Sequence, residues 1–209
     1  MMESITVPRS LKERQRQERE ALILKAAEEV LLEKGYHETS MDEIATRVGI
    51  AKGTVYLHFQ SKEDLVIAIY QREMLQLLQY IDSTMDSQLT ARGKVEAIFD
   101  LMHGEMMSKR TRLLFSISDS AGLKHLLVEK KGRLRETWDQ LTTRLSSLFE
   151  EGKAEGAFDS TLPTMVMVSA FYSLLSPKSY HRLTTEGQMN GEDVATNLKR
   201  IFLNGISTN

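Results

Sequence analysis

Lys52, Thr54, Tyr56 and His58 fall within seven residues, and Lys62 follows four positions later. These are an ammonium, a hydroxyl, a phenol, an imidazole and a second ammonium, all of which can donate hydrogen bonds. From Ile44 to Lys62 there are three cations (Arg47, Lys52, Lys62) and no Asp or Glu, in a chain whose net charge is −2. Bulk charge therefore does not point to nucleic acid, but this segment does: a surface of donors without carboxylates suits a polyanion. Ala51 and Gly53 are small enough to let a backbone approach a duplex closely. Other chemistries lack their residues. The chain has no cysteine, so thiolate metal sites, disulfides and cysteine nucleophiles are excluded. His58 has no second ligand at metal spacing. Asp100-Leu101-Met102-His103 resembles half of a helical carboxylate–histidine iron site, but no second copy exists. There is no Gly-rich phosphate loop and no nucleophile elbow. No cofactor, no metal and no catalytic residue is expected.

The elements that must position these donors are helices. Leu22, Ile23, Ala26, Ala27, Val30 and Leu31 recur at helical spacing, and Gly35 is placed to stop that helix. Ser40-Met41-Asp42-Glu43 reads as a capping box opening a short second helix, with Met41, Ile44, Ala45 and Val48 on one face and Gly49 at its end. A third short helix presents Lys52, Thr54, Tyr56 and His58 while Val55 and Phe59 anchor it. Two short helices about a tight turn, after a longer one, are the grammar of a helix-turn-helix. Helical phase then recurs from Ser61, Thr90, Leu134, Thr161 and Asn190, with a short helix or turn over Arg112–Ser118. Strand alternation is nowhere evident, and only Pro8, Pro163 and Pro177 interrupt. The fold class predicted is all-α with about nine helices. It has an N-terminal three-helix helix-turn-helix domain (17–77, motif about 40–60) and a C-terminal helical domain (78–209).

The segment Thr39–Lys62, TSMDEIATRVGIAKGTVYLHFQSK, resembles the TetR family of regulators. The residues that carry the resemblance are Ile44-Ala45, Val48-Gly49-Ile50, Gly53-Thr54-Val55-Tyr56, His58-Phe59 and Ser61-Lys62-Glu63-Asp64-Leu65. It is strong over roughly residues 20–70 and architectural beyond. One departure is Ala51, where many members carry a serine, which removes a cap and a phosphate donor. The resemblance implies an Ω-shaped homodimer whose recognition helices enter major grooves of double-stranded operator DNA. It also implies a C-terminal domain that binds a small molecule and pairs its last two long helices with those of a second copy. Carried over, Lys52 and Thr54 reach base edges beside Gly53, and Tyr56, His58 and Lys62 hold phosphates. Thr39 and Ser40 stand where helix-start amides bind phosphate.

Between Val95 and Leu175 the helices are rich in Met, Leu and Phe. Phe99, Met102, His103, Met106, Phe115, Trp138, Met167 and Phe171 are candidates to line a pocket for an apolar effector, with His103 as a polar group within it. The alternative for each is plain core. The helix beginning at Ser61 is the natural lever between pocket and DNA. Residues 1–20 carry no apolar run that would read as a signal peptide, and the longest nearly apolar stretch, Met165–Leu175, is too short to span a bilayer. A cytoplasmic protein without membrane contact is expected. The function expected is a sequence-specific regulator, a repressor released from a palindromic operator by its ligand. The alternatives are an orphan or architectural dimeric DNA-binding protein, or a helical enzyme.

Overall fold

The computed structural model describes residues 10–107 and 131–208. Among them are nine α-helices in chain order: α1 Leu11–Glu38, α2 Met41–Val48, α3 Lys52–His58, α4 Lys62–Met85, α5 Ala91–Met107, α6 Lys131–Ala154, α7 Thr164–Leu174, α8 Pro177–His181 and α9 Gly191–Ile206. A single π-helical turn, Arg182–Glu186, joins α8 to the loop before α9. Among the described residues the one strand-like pairing is an isolated antiparallel bridge between Phe158 and Ser207. The all-α expectation is met; the Arg112–Ser118 element lies outside the described residues.

The chain divides into two compact units, one ending at Ile69 and one beginning at Tyr70, inside α4. In the first, Ile23, Ala26, Ala27, Val30 and Leu31 of α1 meet Met41, Ile44 and Ala45 of α2, Val55 of α3 and Phe59 after it. Leu22, expected in this stripe, is instead 58% exposed. No residue of α1 before Ile23 is buried, so the stripe begins where the packed partners begin. Gly35 leaves helical geometry at φ 79°, ψ 174°, which kinks the end of α1 rather than stopping it, and α1 runs on to Glu38. That conformation is one only glycine adopts readily.

The helix starts are set by short-range hydrogen bonds. Ser61 Oγ accepts from Asp64 N–H at 3.1 Å, Thr90 Oγ1 from Gly93 N–H at 3.2 Å, and Asn190 Oδ1 from Glu192 N–H at 3.3 Å. The reciprocal capping box expected at Ser40 forms only in half. Ser40 Oγ accepts Glu43 N–H at 3.2 Å, but the Glu43 carboxylate takes the Lys34 ammonium at 2.6 Å instead. The complete box is at Ser10 and Glu13, at the start of α1. Pro163 stands just outside α7 as its N-cap.

The second unit is organised around Phe99, Phe149, Phe171 and Phe202. The Phe171 ring lies 5.7 Å from Phe99, 6.3 Å from Phe149 and 5.5 Å from Phe202, all near edge-on. Phe158 joins them through Phe149 at 5.9 Å. Edge-to-face contacts at these separations suit the ring quadrupole. Around this core, Lys94, itself buried, pairs with Glu151 at 2.7 Å, and Arg144 takes both oxygens of Asp82.

Candidate nucleic-acid interface

Gly49 ends α2 in the left-handed region (φ 77°, ψ 34°), and its N–H reaches the carbonyls of Ala45 and Thr46 at 3.0 and 3.2 Å. Ile50 N–H returns to the Ala45 carbonyl at 3.1 Å. This closes the α2 C-terminus and turns the chain within three residues into α3. α3 starts without a side-chain cap, as Ala51 implies; Thr54 N–H bonds the Ala51 carbonyl at 2.8 Å. Val55 and Phe59 hold α3 against the core at 0% and 9% exposure.

The candidate residues separate into two groups. Lys52, Gly53 and Tyr56 are exposed, and Thr54 is half-buried on the same short helix. The Lys52 ammonium is 5.9 Å from the Tyr56 ring centre and 2.6 Å from Asp42 of α2. That carboxylate and the Tyr56 phenol keep Lys52 protonated more firmly than a free lysine. Asp42 lies outside the carboxylate-free stretch Ile44–Lys62, yet the fold returns it to the one cation of α3. Ser40 is exposed, with its hydroxyl engaged as the α2 cap.

Thr39, His58 and Lys62 are turned inward. Thr39 is 3% exposed, and its hydroxyl donates to the Gly35 carbonyl at 2.7 Å. The Lys62 ammonium donates to the carbonyls of Tyr36 at 2.5 Å and Thr39 at 2.9 Å and lies 4.3 Å from the Tyr36 ring centre. The Tyr36 hydroxyl donates to Glu63 at 2.6 Å, and burial, helped by that bond, raises the phenol's pKa. Lys62 and Glu63 thus bind the kinked end of α1 to the start of α4. His58 has a side chain only 10% exposed, with Nδ1 3.1 Å from a Glu20 oxygen. Burial pushes Glu20 upward, but hydrogen bonds from His58 and Arg16 outweigh it and hold the carboxyl below its ordinary value. Arg47, on α2, grips both oxygens of Glu33 at 2.8 and 2.7 Å. The sequence reading missed the partners of Lys52, His58, Lys62 and Arg47, because each of those pairings crosses between helices.

The pocket candidates also divide. Phe99, Met167 and Phe171 are fully buried and belong to the aromatic core, and Met102 packs partly buried against it. His103 is 2% exposed, stacked 6.5 Å from Phe99 and edge-on to Tyr180 at 4.9 Å. Its Nε2 has no hydrogen-bond partner among the described residues, and burial lowers its pKa against a smaller opposing effect of Asp100. Asp100 itself points both oxygens at Lys199, at 2.6 and 2.7 Å. Among the described residues no three His, Asp or Glu side chains converge as a metal site would need. Trp138 is 41% exposed, with its ring 5.4 Å from Tyr172. The side chain of Met106 and the whole of Phe115 lie outside the described residues.

The fold and this surface define a helix-turn-helix domain joined to an all-helical second unit. Residues 23–69 match the family model described as bacterial regulatory proteins, tetR family. Over that stretch the chain is similar to the TetR family. It is 40% identical over 104 residues to the HTH-type transcriptional activator FasR of Mycolicibacterium smegmatis, covering 48% of this chain and 47% of that protein. It is 34% identical over 87 residues to the fatty acid metabolism regulator protein of Bacillus subtilis, covering 40% and 45%. The matched stretch thus spans about half the length of each relative. Among solved structures, the transcriptional regulator FadR from Bacillus subtilis in complex with stearoyl-CoA superposes with a TM-score of 0.68. That superposition covers 89% of this chain and 98% of the other at 20% identity, and so speaks to the fold. Among the described residues, no helix is long and apolar enough to cross a membrane.

Proposed function

We propose that this protein is a sequence-specific DNA-binding transcription regulator, and not an enzyme, whose operator affinity is set by a small apolar effector. The observation that carries the reading is α3: a short helix anchored by Val55 and Phe59 that offers Lys52, Gly53, Thr54 and Tyr56 outward beyond a glycine-closed turn. Such a helix has the dimensions and donors to enter a major groove. Ser40 and the α2 start lie beside it as a phosphate contact. In functional terms the DNA-binding part is 17–77 and the effector-binding and dimerisation part is 78–209; the packing divide at Ile69/Tyr70 falls inside the same helix.

The effector class is a long acyl chain, free or as a thioester. Its support is the apolar, aromatic interior of the second unit, the name of one relative, the fatty acid metabolism regulator protein, and the stearoyl-CoA held by FadR. Dimerisation through α7 and α9 is part of the same reading. These two helices pack on one another and leave Met165 (58%), Val166 (55%) and Ile201 (60%) exposed. In the repressor reading the effector releases the operator. The name of FasR favours a second reading, in which the bound regulator activates.

The test is selection of bound sequences from a random double-stranded library, followed by titration of stearoyl-CoA into the complex with the selected DNA. A palindromic consensus whose affinity changes with the acyl ligand supports the proposal. Absence of any enriched sequence overturns DNA recognition, and a consensus indifferent to acyl ligands overturns the effector class.

A further inference from the structure

We propose that Leu57 reads thymine, by packing its side chain on a 5-methyl group in the major groove. The inference rests on the DNA-binding reading of α3. Leu57 is 80% exposed, the largest exposure among the described large apolar side chains. At roughly 100° per residue, it lies about 200° past buried Val55, and Gly53 lies the same angle before it. Both therefore project away from the core, and Leu57 stands near the outermost line of the recognition helix.

Two observations argue against a solvent-facing leucine of no consequence. Within the fold, Gly53 has no evident need to be glycine. Its φ is not positive, and a Cβ built there would meet nothing within 4 Å. Glycine inside a helix is destabilising by roughly 1 kcal/mol relative to alanine. A residue that weakens the helix without serving it internally fits a backbone that must come close to something outside. Leu57, one turn later on that line, then reaches into the same contact. It has no donor or acceptor, so it cannot bond a phosphate or a base edge. The apolar feature that the major-groove edges offer is the thymine methyl. Lys52 and Tyr56 lie together on one side of the line and Thr54 on the other, and these supply the polar contacts that a leucine cannot.

The test uses the full-length protein and the consensus operator obtained by selection. Replacing each thymine in turn by deoxyuridine deletes one methyl and leaves the hydrogen-bonding edges unchanged. Wild type should lose about fourfold in affinity for the methyl under Leu57, and roughly fifteenfold when both half-sites are changed. Leu57→Ala should bind the unmodified operator more weakly and be indifferent to deoxyuridine at that one position, while still responding elsewhere. Its melting temperature should stay near wild type, because the side chain buries little. A second library selection with Leu57→Ala should lose the thymine preference at that position alone. If Leu57→Ala responds to every methyl deletion as wild type does, or keeps the full preference profile, the assignment is overturned. Failure to select any consensus would sink the DNA-binding reading itself, a separate outcome.

Discussion

Lys62 shows how a side chain suited to a phosphate is committed elsewhere. Its ammonium already has two carbonyl acceptors and an aromatic face. Hydrogen bonds to a charged group contribute about 1.5–3 kcal/mol each when well made, less where water competes. We predict that Lys62→Met, which keeps the stem and removes the charge, lowers the stability of the full-length protein by about 1–3 kcal/mol in urea denaturation. The salt dependence of operator binding should stay near wild type. The opposite pattern, unchanged stability with a slope reduced by about one counterion, would return Lys62 to the phosphate contacts. His58 and Thr39 follow the same logic, as their polar atoms face Glu20 and Gly35.

His103 gives a second residue-scale prediction. Its folded pKa lies below the ordinary histidine value because burial disfavours the imidazolium. For a depressed pKa the unfolded chain binds the proton first. The contribution is therefore complete above the unfolded value near 6.5 and is lost as pH falls through the folded one. Unfolding free energy measured between pH 7.5 and 5 should fall in wild type and fall less in His103→Phe. Parallel pH profiles for the two would show that His103 carries no such linkage.

At the scale of elements, the decisive feature is how α6 ends against the loop that follows. Gly152 is buried in α6, and a Cβ placed there would meet the Phe158 ring at 2.1 Å. Phe158 cannot step aside easily, since it is 1% exposed and packed on Phe149. The chain also returns through Gly152 to receive the N–H groups of Ala157 and Phe158 at 2.9 and 3.1 Å. Helix propensity alone says that Gly152→Ala should stabilise by up to about 1 kcal/mol. Overpacking a close-packed core has the larger effect, so we predict a net loss of about 1–3 kcal/mol, read as a lowered denaturation midpoint. A raised midpoint would show that the ring yields. In the first unit, Gly49 has the complementary role: no crowding, but a left-handed conformation that sets the angle from α2 into α3.

At the scale of the whole molecule, the open question is what covers α7 and α9. Exposed Met165, Val166 and Ile201 share these helices with fully buried Met167, Val168, Phe171 and Phe202. α7 is thus apolar on more than one face, which one unit of this size does not bury. An isologous pairing of two copies covers both sets at once. Sedimentation should give twice 23.8 kDa at micromolar concentration. Val166→Glu with Ile201→Glu should yield a folded monomer with far weaker binding to a palindromic operator. A wild-type monomer, or a double variant that still dimerises, would remove these helices from the interface.

By itself the sequence determined the helical class, the turn at Gly49, the caps at Ser61, Thr90 and Asn190, and the anchoring of α3 by Val55 and Phe59. The turn and the caps rest on contacts two to five residues apart, and the anchoring of α3 on a four-residue spacing that puts Val55 and Phe59 on one face, geometry that the helical backbone dictates wherever the residues occur. Family resemblance over Thr39–Lys62 was legible for the same reason, because that motif is one run of local signals. The tertiary structure alone decided which donors remain for a ligand. Asp42 and Lys52, Glu20 and His58, and Tyr36 and Lys62 are 10, 38 and 26 positions apart in the chain. No periodicity relates them. It also decided that Phe99, Met167 and Phe171 are core, and that Leu57, read at first only as part of a motif, is the most exposed large apolar side chain described. Period marks a residue as apolar and on a face, but burial depends on whether another helix arrives there, and that is set by packing between segments distant in sequence.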